Sequence, residues 1–154
     1  MAIDVGTIEE AVITTIKADP TMSAYLKTCE SYQGQLEADL QVLPRLFPAA
    51  FVMFERSEYR PMTNEEESAD FTFSMLLASQ TYQGNIAART GTPGMVGVYT
   101  MLRDLRKLLV GQTFGLPDFP PFLLVSEEAL LNTKALSVYA AEYKSSGHVI
   151  PLGA

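Results

Sequence analysis

The single cysteine, Cys29, stands beside Glu30 in the stretch TCESYQGQL, and the single histidine, His148, follows more than a hundred residues later near the C-terminus. A cysteine nucleophile needs a base within hydrogen-bond reach to supply its thiolate, and nothing in the order of residues brings these two together. One cysteine and one histidine do not build a zinc site of the common kinds. The 18 acidic residues show no spacing that singles out an acid and base pair. QGNIAARTGTPG has glycines, but it lacks the lysine of a phosphate-binding loop and the spacing of a dinucleotide turn. These residues predict no catalytic site, no cofactor and no metal, with Cys29 as a small packing group on a short strand.

The elements that would position any site are easier to read. A chain of 154 residues, 47% hydrophobic and 19% charged, fits one folded domain with a sizeable core. No apolar run approaches the roughly 20 residues that span a bilayer, and the N-terminus has no signal-peptide pattern, so a soluble protein made in the cytoplasm is expected. A net charge of −7 argues against gripping nucleic acid through its phosphates, and it suits a surface past which DNA slides without sticking.

Ile8, Val12 and Ile16 share a stripe that predicts a helix over 7–18, with Thr7 and Glu10 at capping-box spacing and Asp19-Pro20 as its stop. Residues 28–32 read as a short strand. Leu36, Leu40, Leu43 and Phe47 predict a second helix, stopped or kinked near Pro44 and closed by Pro48. AAFVMFERSEYR reads as a central strand, Glu65–Glu67 as a solvated loop, and the alternation of Phe71, Phe73, Met75 and Leu77 as a strand facing a core. Residues 80–94 form a long polar connection, the kind of loop that is functional or mobile. A third helix, about 95–110, carries Val98, Leu102, Leu105 and Leu109 on one stripe and ends at Gly111. Asn132 and Thr133 then turn a hairpin between two strands, and 146–154 reads as an extended tail.

The order predicts an α+β fold, a mainly antiparallel sheet with about three helices packed on one face. In the last strand Leu136, Val138 and Ala140 face one way, and Tyr139, Ala141 and Tyr143 the other. With helices on one face only, Tyr139 and Tyr143 need a further partner, which a neighbouring subunit or a tail or loop of the same chain would supply.

The stretches TCESYQGQLEADL, PAAFVMFERSEY, FTFSMLLASQTYQGNIAARTG, GVYTMLRDLRKLLVGQTFGLP and LSVYAAEYKSS, in this order, resemble the Mu-like phage tail tube terminator family over most of the chain. The resemblance implies a virion protein of a contractile tail, assembled in the host cytoplasm and carrying no catalytic residues. It would form a homo-oligomeric ring, a hexamer, on the completed tail tube. The ring would stop tube growth, offer a surface for head attachment and let DNA pass through without specific binding. Its partners would be its own copies and the tail tube protein, with the sheath and a head completion protein as further neighbours. Tyr82, Asn85, Arg89, Tyr139 and Tyr143 are the expected subunit or tube contacts. A head completion protein is the nearest alternative, and a small ligand-binding protein or enzyme built around 80–94 the more distant one.

Overall fold

The computed structural model describes residues 4–37, 46–81, 83–134 and 136–152. Helices α1 (Val5–Ala18) and α2 (Pro20–Ser23) lead into strand β1 (Thr28–Ser31) and a 3-10 turn, Gln35–Glu37. Strands β2 (Ala49–Pro61) and β3 (Glu66–Gln80) are followed by helices α3 (Asn85–Thr90) and α4 (Val98–Leu109), and strands β4 (Leu123–Asn132) and β5 (Leu136–Pro151) close the chain. The strands form one sheet in the order β1-β2-β3-β5-β4. β1 runs parallel to β2, and every other pair is antiparallel. The fold is α+β, as the order of segments predicts.

The alternation in β3 decides where the core lies. Phe71, Phe73, Met75 and Leu77 point to one face, where Ala50 and Val52 of β2 and Ala141 and Tyr143 of β5 join them under α1, α2 and α4. α1 contributes Ile8, Val12 and Ile16; α4 contributes Val98, Met101, Leu105 and Leu109. Leu76 and Ala78 point to the reverse face and meet Ala49, Phe51, Val138 and Ala140 in a second, smaller cluster. β3 is therefore buried on both sides, although an antiparallel strand needs only one covered face.

Several expectations need correction. The Thr7 and Glu10 capping box is not formed: α1 already begins at Val5, and the Asp4 carbonyl accepts from the Thr7 and Ile8 N–H groups, so Thr7 is a helical residue. Asp19 and Pro20 do end α1, but they also start α2, with the Asp19 carboxylate accepting from the Met22 N–H at 2.9 Å and Pro20 in the first turn. Of the second helix only the turn at Gln35–Glu37 is described; Leu40, Leu43 and Pro44 lie outside the described residues. Glu66 and Glu67 are strand residues, opposite Pro151 and Ile150, leaving only Glu65 in the connection. Residues 80–94 are not one loop, because Asn85–Thr90 is helical.

The expected tail is also sheet. Ser68, Glu67 and Glu66 pair with Val149, Ile150 and Pro151, beyond a bulge at Ala69/Phe71. Buried Asp70 fastens this end, its Oδ1 accepting from Arg60 Nη2 at 2.9 Å, Ser146 Oγ at 2.7 Å and the Gly147 N–H at 2.9 Å. Gly147 has φ 88°, which a residue with a Cβ rarely adopts, and this local turn of the backbone aims its N–H at the carboxylate. Burial opposes the Asp70 charge, but those hydrogen bonds together with Arg60 and Lys144 hold the carboxyl below its ordinary range.

His148 is buried between Phe71 and Phe119, with ring centroids 4.7 and 5.2 Å away. Desolvation pushes its pKa down, outweighing the opposite pull of Asp70. Both shifts remove stability on the acid side. The unfolded state takes up the histidine proton first, from pH about 6.5 downward, and the aspartate proton from about pH 3.9 downward. Thermal melting as a function of pH should fall in two stages, and His148→Gln should abolish the upper stage while leaving the lower one in place.

Candidate assembly surface

Asn85, the first residue of α3, holds that short helix against the β4–β5 turn. Its Nδ2 donates to the carbonyls of Thr133 at 2.6 Å and Leu136 at 3.0 Å. Its Oδ1 accepts from Arg89 Nε at 2.9 Å, one helical turn along, and so fixes the guanidinium. Arg89 Nη1 then donates to the Tyr99 hydroxyl at 3.0 Å, with the guanidinium carbon 5.9 Å from the Tyr99 ring centroid. Tyr99, on α4, meets Tyr139 of β5 edge to face with centroids 5.8 Å apart and hydroxyls at 3.5 Å. Hydrogen bonds from Tyr139 and Arg89 lower the Tyr99 pKa, and the bond to Tyr99 raises that of Tyr139.

Three expected contact residues, Asn85, Arg89 and Tyr139, thus form one cluster, with Tyr99 as a member that sequence reasoning missed. Tyr99 lies on the solvent side of α4, away from the stripe that identified the helix. Tyr82 lies outside the described residues. Tyr143 is a correction: its ring is fully buried on the helix-covered face, stacked on Phe122 at 6.1 Å, so it is unable to touch a subunit. The helices cover the Tyr139 and Tyr143 face of β5, and it is Val138 and Ala140 that face away from them.

The link between α3 and α4 is built for close approach. A Cβ on Gly97 would stand 2.3 Å from the Gly91 nitrogen and 2.5 Å from the Arg89 carbonyl oxygen. Only glycine lets the two helix ends meet and brings Arg89 to Tyr99. Around the cluster Ile86 is 69% exposed and Tyr99 41%, so this end of the molecule presents apolar and aromatic side chains to solvent. Tyr and Arg in such a setting are the side chains that carry most interface energy.

The residues that invite a catalytic reading lie elsewhere. Through the sheet register Cys29 aligns with Ala50, Leu77 and Tyr139. His148 is three strands across and nine residues along β5, about 14 Å and roughly 30 Å away in those two directions. Burial pushes the Cys29 thiol up to about 11, which leaves it protonated and unreactive at neutral pH. A cleft of about 760 Å³ borders His148, lined also by Asp4, Thr7, Glu66 and Asp118. Ser145 lies 2.7 Å from His148 Nε2, but its hydroxyl proton goes to the Pro120 carbonyl, so it accepts from the ring and is fully buried. With Asp70 nearby, this grouping holds β5 in place and is not an arrangement for nucleophilic attack.

Substitutions separate these roles. Gly97→Ala should force α3 away from α4, lowering stability by about 2 kcal/mol or more in urea titration and loosening the Arg89 cluster. Tyr143→Phe should leave stability unchanged or raise it, since the buried hydroxyl has no hydrogen-bond partner among the described residues. Cys29→Ser should change stability by less than about 1 kcal/mol in the same titration.

No curated protein matches the chain. The family described as Bacteriophage Mu, Gp37 matches residues 4–146 of the 154. That span takes in the whole sheet up to the Asp70 fastening and the entire Asn85–Arg89–Tyr99–Tyr139 cluster, and the chain therefore belongs to the Bacteriophage Mu Gp37 family of Mu-like phage proteins.

Proposed function

We propose that this protein is a tail terminator, a structural component of a Mu-like phage particle that caps the completed tail tube as a ring. The cap stops tube polymerisation and offers the head a surface to join. Family membership supports a phage structural protein. The observation that carries the finer reading is the half-exposed Arg89–Tyr99–Tyr139 cluster beside exposed Ile86, held rigid by Asn85 and by the close contact at Gly97. A cap must match one end of a polymer without extending it, and a preorganised aromatic and arginine patch suits recognition of that kind. Neighbouring copies and the tube end are its partners, and the acidic balance lets DNA pass through the ring unbound.

Loss of the protein from an infecting phage or induced prophage should give tubes of uncontrolled length that lack heads, scored by negative-stain electron microscopy. Normal tails joined to heads would contradict the reading. Arg89→Glu should fold with the wild-type melting curve and reproduce the length defect, because the substitution reverses charge in the patch without touching the core.

A further inference from the structure

Two surfaces on opposite sides of the sheet complement one another. α4 packs over β3, β5 and β4, and its solvent side carries Tyr99, Arg103, Arg106 and Lys107 in a stripe that ends at Val110, just past the helix. Of these cations, Arg106 approaches Glu127 at 3.4 Å and Arg103 approaches Asp104 at 3.4 Å; Lys107 has no ion pair among the described residues. Tyr99 is 41% and Val110 48% exposed, so the basic stripe has an apolar group at each end.

On the reverse face of the sheet lies a groove of about 340 Å³, lined from β2, β3, β5 and β4. Its floor is Leu76 and Val138, with half-exposed Leu131 on its rim. Glu55, Glu128 and Glu142 also line it. Glu142 shares Arg56 at 3.7 Å, whereas Glu55 and Glu128 have no ion pair among the described residues. An apolar floor with surplus carboxylates calls for a partner that brings apolar side chains and cations together, which is the composition of the α4 stripe.

We propose that α4 of one copy docks into the reverse-face groove of the next, so that its basic stripe meets Glu55 and Glu128. This rests on the ring reading and deepens it by naming the two surfaces. They differ, and they lie back to back, so the contact is heterologous and repeats from copy to copy. A repeat whose rotation closes is a ring; one that does not close is a filament. Tyr99 belongs both to this stripe and to the Arg89 cluster, so one rigid unit serves the subunit contact and the tube-facing patch.

Disulfide trapping tests the contact. In a Cys29→Ser background, the double variant Lys107→Cys, Glu128→Cys is oxidised mildly at high protein concentration and run without reductant. Both positions are exposed, and circular dichroism checks the fold of each variant. The expected result is a ladder of linked trimers and larger species that needs both cysteines and falls several-fold in yield at about 1 M salt. Species no larger than dimer from the double variant would overturn the proposal, as would a ladder indifferent to salt. If the ladder is absent while loss of the protein still gives uncapped tubes, the docking geometry fails and the terminator reading stands. If tails are normal without the protein, the terminator reading itself fails.

Discussion

The structure depends on β3 having to be covered on both faces. Its side chains are buried on either side, Phe71, Phe73, Met75 and Leu77 on one and Thr72, Ser74, Leu76 and Ala78 on the other, yet α1, α2 and α4 all pack on the first. Full burial of a phenylalanine, leucine or methionine side chain is worth about 1.5–3 kcal/mol, so the helix-covered face with Phe71, Phe73, Met75 and Leu77 supplies most of the driving force for folding. The reverse face has the smaller cluster, with Phe47, Phe51 and Leu136 around Leu76 and Ala78, and ends in an open groove. A single domain with one set of helices leaves this imbalance, and the proposed docking of a neighbouring copy would relieve it.

The polar features are consistent with that division. Asp70 and His148 stabilise one end of the sheet, where β2, β3 and β5 are joined through hydrogen bonds to a carboxylate. Asn85 does similar work at the other end, where it ties α3 to the hairpin turn. Each is a local bond network that fixes backbone, and in neither does a group stand free to attack a substrate. The rigid end carrying Arg89 and Tyr99 is suited to recognition, because side chains already held in place lose little freedom on binding.

Much of the fold was legible because burial writes a period into the sequence. The stripe of Ile8, Val12 and Ile16, the alternation from Phe71 to Leu77 and the stripe of α4 each named an element and its inner face. Features set by contacts between distant residues were not legible. α3 buries only Ala88 and so has no stripe; it stands because Asn85 finds carbonyls 48 and 51 residues away. The end of β5 looked like a tail because its pairing depends on a bulge and on Asp70. Tyr143 could be placed on the correct strand and grouped correctly with Tyr139 and Ala141, but which face the helices cover is a tertiary choice that alternation alone leaves open. Asn85, Arg89 and Tyr139 lie together in the fold, and Tyr99 joins them from an exposed helical position whose place in the cluster appears only in three dimensions.

The central claim is that neighbouring copies complete this sheet at the end of a tube. Cryo-electron microscopy of intact tails addresses it most directly, at a resolution that separates strands. The account predicts a closed ring of this chain at the head-proximal end of the tube, with the groove beside Leu76 and Val138 filled by the adjacent copy. Tails whose head-proximal end lacks this chain, or holds it with that groove open to solvent, would contradict it.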